Sequence, residues 1–333
     1  MKRKNVIAIL FAFVVFAASC GQKEAQNTVE KNTEAASEIA EDTESAEPEE
    51  INTEEMNTEN EQPVEENTTE STLSSEQINA ADKIEVEVDT ESSVSESEKM
   101  GEGGFKVQIE ENKESYKVVG KEEIMWNIQS YPKISSGGKT AETINADIES
   151  IKASMKNETD ENLTAAKEDY LYRIEQNPDA AETTGVMIPF EMQETSVVTR
   201  NDAAIFSFAV DSYAFLGGAH GCGATTGYNY DAKTGKHMQL EDLSEDSEAF
   251  KANVLSFVKE QCESDAYRER LFEDYETYLE ETVFAEDSWY FTDSGILISC
   301  PPYTLSAYVE GTINFEIPYE TLKTFGMKAE YLN

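Results

Sequence analysis

The 333-residue sequence predicts an α+β fold, with antiparallel sheets and packed helices preceded by a long disordered linker. Three observations lead there. Phe, Tyr and Trp are absent from residues 21–100 and return after Gly101-Glu102-Gly103-Gly104. Beyond that point the apolar spacing changes between a strand period of two and a helical three or four. Strands and helices also come in runs rather than strict alternation, which favours α+β over a doubly wound parallel sheet.

The N-terminus comes first. Lys2, Arg3 and Lys4 precede an almost wholly apolar stretch from Asn5 to Phe16, followed by the small residues Ala17-Ala18-Ser19-Cys20-Gly21. A basic start, a short apolar core and small residues before a cut describe a secretory signal. The core is too short to span a bilayer, which needs about 20 apolar residues. The small-small-Cys ending resembles the bacterial lipobox, with Ala17 where that pattern prefers Leu. The resemblance implies that residues 1–20 are a lipoprotein signal peptide. Cys20 would then be acylated as the first mature residue and hold the chain on the extracytoplasmic face of the cell membrane. An ordinary cleavage site with an incidental cysteine is the alternative.

Residues 21–103 read as an acidic, disordered tether. Residues 21–100 hold 25 Asp or Glu against 4 Lys, a net charge of −21. Such a segment cannot bury enough apolar surface to offset its chain entropy, and its like charges extend it. A neutral flexible chain of this length spans roughly 50 Å. Ile84-Glu85-Val86-Glu87-Val88 alternates like a strand, but five isolated residues weigh little and are read with the spacer.

Residues 104–200 are read as one domain and 201–333 as a second. Phe105–Ile109, Tyr116–Val119 and Glu123–Gln129 predict short strands, with turns at Asn112 and Gly120. Ile144, Ile148, Ile151 and Met155 fall at helical spacing, and Leu163, Ala166, Tyr170, Leu171 and Ile174 form a second stripe. The polar stretch 157–162 between them is a break or a solvated turn. Val186, Ile188, Phe190 and Met192 then alternate, and a turn at 200–202 leads into Ile205–Phe215. There Phe206, Phe208 and Val210 face one way and Ser207, Ala209 and Asp211 the other, as in a half-buried antiparallel hairpin. Thr225–Asp231 is another strand. Two helical stripes follow, at Phe250, Val254, Phe257, Val258, Cys262 and at Leu271, Tyr275, Tyr278, Leu279. A hairpin of Trp289–Phe291 with Ile296–Cys300 and a last strand at Gly311–Ile317 complete the chain.

The net charge is −42 overall and −24 on residues 101–333. That makes the domain a poor partner for nucleic acid or anionic lipid and a good one for cations or basic proteins, with plain solubility as the alternative that acidity alone favours. Beyond Cys20 there are three cysteines, Cys222, Cys262 and Cys300, an odd number that argues against a disulfide framework. Cys262 and Cys300 share the parity of core positions, as packed free thiols or as one disulfide. Only two histidines exist, His220 and His237. A three-histidine zinc site is therefore ruled out, and His237 with its neighbours lacks helical ligand spacing. Ser207 and Ser212 sit in a strand, not in a nucleophile elbow, and Cys222 beside His220 has no third member. No metal, cofactor or catalytic set is expected. In Tyr213–Gly223, "YAFLGGAHGCG", the glycines allow close backbone approach and His220 is expected to bond locally and hold the loop.

"YAFLGGAHG", "YNYDAKTGKHMQLEDL", "SWYFTDSGILI" and "PPYTLSAYVEGTINFEIPYETL" resemble successive stretches of the RsiV-like exported domain. That is the C-terminal, lysozyme-sensing part of certain anti-sigma factors, and it also occurs beside polysaccharide deacetylases. Upstream, "YPKISSGG" and Asn145 in "ETINADI" resemble the companion domain N-terminal to it. The resemblance covers roughly residues 123–325. It implies a non-enzymatic module that binds lysozyme or another wall-associated ligand. Four residues before the apolar core leave no sigma-binding region, and the histidine motifs of the deacetylase catalytic domain are missing. The expected surface comprises the 217–221 and 301–308 loops, with Tyr213, Gly217, Gly218, His220, Tyr303 and Tyr308 as ligand-binding residues. A wall hydrolase using the His220 loop, or a purely structural envelope protein, are the competing readings.

Overall fold

The structure, a computed structural model, describes residues 80–179, 185 and 187–332. The predicted signal peptide, Cys20 and the tether up to residue 79 lie outside the described residues. The fold class is α+β. Six strands, β1 (Val86–Glu96), β2 (Val107–Val118), β3 (Glu123–Ile134), β4 (Phe190–Asn201), β5 (Ile205–Phe215) and β6 (Cys222–Asp231), lie in one sheet in chain order. All pairings in this sheet are antiparallel except β3–β4, which is parallel. The reason is the connection. A 39-residue helix, α1 (Gly138–Gln176), leads from the end of β3 to the start of β4, and a parallel pair requires a long crossover of that kind.

The first expected boundary also moves. β1 falls inside the stretch read as tether, yet it pairs with β2 over eleven residues. Lys117 holds Asp89 at 2.8 Å, Ser92 donates to Asn112, and Gln108 donates to Glu96. Asn201 then staples the following loop by donating to the carbonyls of Lys99 and Phe105. Backbone pairing and these polar contacts need no aromatic residue, the signal on which the tether reading relied. The two short strands expected at 105–109 and 116–119 are one strand, β2, running through Asn112. The second boundary, between 200 and 201, falls in the turn joining β4 and β5, which are neighbours in one sheet. By sheet membership the division lies after Asp231.

The 157–162 stretch does not break α1. Residues 139–176 contain neither Gly nor Pro, and the polar residues have a polar surface to meet. Thr159 and Asn162 are buried against the sheet, where Asn112, Gln129, Glu194 and Ser212 stand on one cross-strand line. This layer separates two apolar clusters. One holds Phe105, Tyr131, Ile144, Ile148, Phe206 and Phe208, the other Tyr116, Ile124, Ala166, Tyr170 and Phe190. Asn145 fixes the helix to the strand before it, accepting from the Ile134 N–H at 2.9 Å and donating to the Ile134 carbonyl at 2.8 Å.

The C-terminal unit is a three-stranded antiparallel sheet of β7 (Trp289–Phe291), β8 (Gly295–Cys300) and β9 (Ile313–Pro318). Helices α2 (Ser247–Cys262), α3 (Glu276–Val283) and α4 (Tyr319–Thr324) pack with it. Phe250, Val254, Val258 and Cys262 of the predicted stripe are buried with Ile296, Ile298, Cys300, Phe315 and Ile317. Cys222, Cys262 and Cys300 are free thiols. Burial pushes Cys262 up to about 11 and Cys300 up to about 12, so both stay protonated and inert.

The half-buried hairpin is a further correction, because β5 is covered on both faces. Phe206, Phe208 and Val210 lie under α1, while Ser207 and Ala209 are also buried. The second cover is the C-terminal unit. Ser207 donates to Asn229 Oδ1 at 2.7 Å, Asn229 Nδ2 donates to the Trp289 carbonyl, and the Phe291 N–H points at both side chains. At Gly227 a Cβ would stand 2.0 Å from the Trp289 carbonyl oxygen, so only glycine lets β7 approach this closely. Arg200 closes the junction. It is buried between the rings of Phe291 and Tyr319 and donates to Asp202, the Tyr319 hydroxyl and the Tyr331 carbonyl.

Candidate binding surface

The two loops singled out in the sequence meet in space. One follows β5 and the other follows β8, and the docking of the two units brings their tips together. The His220 ring stacks on Tyr308 with centroids 4.0 Å apart, and Tyr308 stacks on Tyr303 at 5.8 Å. The interplanar angles are 20° and 23°, so the three rings form a continuous ladder.

Gly221 is its hub, which the sequence reading placed in the loop but did not count among the binding residues. Its carbonyl accepts from the Tyr308 hydroxyl at 2.8 Å and from His220 Nδ1 at 3.0 Å. A carbonyl only accepts, so the His220 ring carries its proton on Nδ1 in this contact. A Cβ on Gly221 would lie 2.3 Å from the Tyr213 ring, so Tyr213 packs directly on this backbone. His220 thus makes the local hydrogen bond expected of it. Gly217, at φ 81°, brings the loop back against Phe190, which a Cβ would meet at 2.9 Å, whereas Gly218 is exposed, with only the His220 carbonyl oxygen near its Cβ position, at 3.9 Å.

Tyr303 adopts φ 69°, a left-handed conformation that costs a non-glycine residue of order 1 kcal/mol or more. Its N–H bonds the Ser306 carbonyl at 2.9 Å, and this tight turn aims the ring into the ladder. Tyr213 and Tyr303 remain 38% and 39% exposed, and Val309, which follows Tyr308 in the chain, is 84% exposed. Large rings held rigidly and left open to solvent are the material of binding hot spots.

His237 lies elsewhere, at the junction of the units. Its Nε2 is 3.1 Å from Asp287 Oδ1, but the approach is off the line of a hydrogen bond, so the contact is one of charge. Burial pushes the imidazole down. Asp287, Asp147 and Glu286 outweigh it and hold the ring above its ordinary range. Asp231 caps its own turn, accepting from the N–H groups of Lys233 and Thr234. Among the described residues no three His, Cys, Asp or Glu side chains gather as a metal-holding group. Cys222 is half-buried at the start of β6, and burial raises its thiol.

Comparison with known proteins follows this division of the chain. Residues 118–222 match the family described as Deacetylase PdaC, and residues 241–320 the family described as Protein of unknown function (DUF3298). No curated protein matches the chain. Among solved structures, a DUF3298 family member from Bacteroides fragilis aligns with 17% identity over 74% of this chain and 95% of its own, at a TM-score of 0.45. A DUF3298 family protein from Pseudomonas aeruginosa aligns with 14% identity over 74% of this chain and 96% of its own, at a TM-score of 0.38. The "YAFLGGAHG" stretch falls in the first matched region, although its resemblance was read to the C-terminal domain. Tyr213 and His220 therefore come from one matched region and Tyr303 and Tyr308 from the other, and the two matches, one to a deacetylase family and one to a family of unknown function, agree with the resemblance to a module found beside polysaccharide deacetylases.

Proposed function

We propose that this chain is a lipid-anchored, extracytoplasmic binding lipoprotein that captures a basic wall-associated protein such as a lysozyme, and that it is not an enzyme. The observation that supports this most is the ladder, with Tyr303, Tyr308, His220 and Tyr213 held by backbone hydrogen bonds and close packing at the rim where two matched regions join. His220 serves there as a ring stacked on Tyr308 and a local donor to the Gly221 carbonyl. The charge of −24 on residues 101–333 would steer a cationic partner, with an on-rate that falls as salt rises.

Surface-plasmon titration of the purified chain against a lysozyme tests the reading. Salt-sensitive binding, weakened by His220→Ala, is expected, with no turnover of glycan or peptide substrates. A flat response from correctly folded protein would overturn the lysozyme assignment. Hydrolysis abolished by His220→Ala would replace binding with catalysis.

A further inference from the structure

The rim beside the ladder holds rings and carboxylates, and Arg173, a cation near the Gly217 loop, is already paired with Asp169 at 2.6 Å. Strand alternation puts Glu191 and Gln193 of β4 and Asp211 and Tyr213 of β5 on the sheet face opposite α1. Gln193 lies directly across from Tyr213, Glu191 is its diagonal neighbour, and Asp211 precedes it by two on the same face. After burial, the charge of Glu191 is the next influence raising the Tyr213 hydroxyl, and that of Asp211 plays the same part for Tyr290 of β7. Residues 187–232 contain a single Lys or Arg, Arg200, and it is committed to the unit junction. Among the described residues neither Glu191 nor Asp211 has an ion-pair partner within salt-bridge distance.

Elsewhere the chain repeats one arrangement of ring, cation and carboxylate. Arg200 lies 5.1 Å and 5.5 Å from the Phe291 and Tyr319 ring centroids and pairs with Asp202. Arg270 lies 5.9 Å from the centroid of Tyr267 and pairs with Glu310, and Lys328 does the same with Tyr331 and Glu245. At Tyr213 the ring has Glu191 diagonally beside it and Asp211 two positions back on the same face, where Asp211 accepts from the Thr225 hydroxyl at 2.6 Å and keeps its second oxygen free of any ion pair among the described residues; none of these cations lies over the ring.

We infer that Tyr213, Glu191 and Asp211 form a seat for a cationic side chain, preferentially an arginine, presented by the basic partner. The inference rests on the binding reading above and adds the chemistry that is recognised. An arginine spreads its guanidinium on the ring face while its N–H groups reach a carboxylate, which a lysine does less well. Gly221 supports the seat from behind, because Tyr213 packs on its backbone.

The test titrates the purified chain with a hexa-arginine peptide, and in parallel with a lysozyme, at about 0.15 M salt so that distant charges are screened. Tyr213→Leu should weaken hexa-arginine about three- to tenfold, while Tyr213→Phe, which keeps the ring, stays within about twofold. Glu191→Gln with Asp211→Asn should weaken it about tenfold. Glu87→Gln with Glu91→Gln on β1, an equal charge change at the far edge, should cost about twofold or less. If the β1 pair weakens binding as much as the rim pair, or if Leu and Phe behave alike, the seat is refuted. Should Tyr213→Leu lower the melting temperature, the rim pair decides, since it leaves the ring in place. Lysozyme binding that ignores both rim changes keeps the binding reading and removes this seat. Ring-dependent hexa-arginine binding with no response to lysozyme keeps the seat and removes lysozyme as the partner.

Discussion

Neutralising Glu194 should stabilise the protein, and the gain should grow with pH. Glu194 is buried at the centre of the α1–sheet interface, where its one strong contact is the Tyr131 hydroxyl, donating at 2.6 Å. Burial pushes its carboxyl up to about 7, with the charge of Glu158 on α1 adding and the Tyr131 bond opposing. The native state therefore holds a proton that an unfolded carboxyl gives up near 4.5. Native protein binds more protons than unfolded between these values, so stability is intact at low pH and is lost as pH rises through 7. Each tenfold step in proton affinity is worth about 1.4 kcal/mol, which makes the full loss up to about 3 kcal/mol above pH 7. Glu194→Gln keeps an acceptor for Tyr131 and cannot ionise. Its advantage over the natural chain should be below about 1 kcal/mol at pH 5 and should grow by about 2–3 kcal/mol by pH 8.5, or about 5–10 °C in melting temperature. Thermal melts of both proteins across that range provide the comparison. His237, whose imidazole is held above its ordinary range, is present in both proteins, so its contribution cancels from their difference. A variant that is less stable at pH 8.5, or a gap that does not change with pH, would refute the reasoning.

Three further outcomes are expected. Gly221→Ala should push Tyr213 off the loop and loosen the ladder, lowering lysozyme affinity at least tenfold, about 1.4 kcal/mol, with a small change in melting temperature; unaltered binding would contradict the hub role. Removing residues 21–79 should leave the melting temperature unchanged, whereas extending the deletion through residue 100 strips β1 and should lower it by several degrees, at about 2–4 °C per kcal/mol; equal melting of both truncations would show that β1 contributes nothing. Cys20→Ala should release the protein from the membrane fraction or leave the signal uncleaved, and a normally processed variant that stays bound would refute the anchor.

How much of this was legible in the sequence depends on which interactions carry each element. β5 runs from Ile205 to Phe215 as its alternation predicts, and the Phe250–Cys262 stripe is the buried face of α2. Both are set by apolar periodicity, which a sequence displays directly. β1 was missed because polar ladders and backbone pairing hold it, and neither leaves an apolar pattern. The 157–162 stretch was ambiguous for the opposite reason. Its polarity is real, but Thr159 and Asn162 within it turn to the polar layer of the sheet rather than to water, and Gln129 and Glu194 of that layer lie far from them in sequence. The loop at Gly217–Gly221 could be marked by its glycines and histidine. That Tyr308 would reach Gly221 across 87 positions could not be marked.

The docking of the two units explains why the surface is built where it is. A stacked trio of rings is worth little if its members can move independently, since each side chain loses rotamer freedom on ordering. Here the ordering cost is met in the fold, before any partner arrives. Arg200, Ser207, Asn229 and Gly227 fix β7 against the back of β5 and β6 through buried polar contacts that have one satisfactory geometry. The loop after β8 is carried by the same small sheet, so its position relative to the loop after β5 is set by that junction. Apolar packing alone would tolerate sliding between the units, whereas mismatched buried hydrogen bonds would each cost about 1–3 kcal/mol. The polar residues on β5 and β6 thus act at a distance on the ladder. A change such as Asn229→Leu should weaken partner binding without touching the ladder itself, because it releases the register in which Tyr308 meets His220.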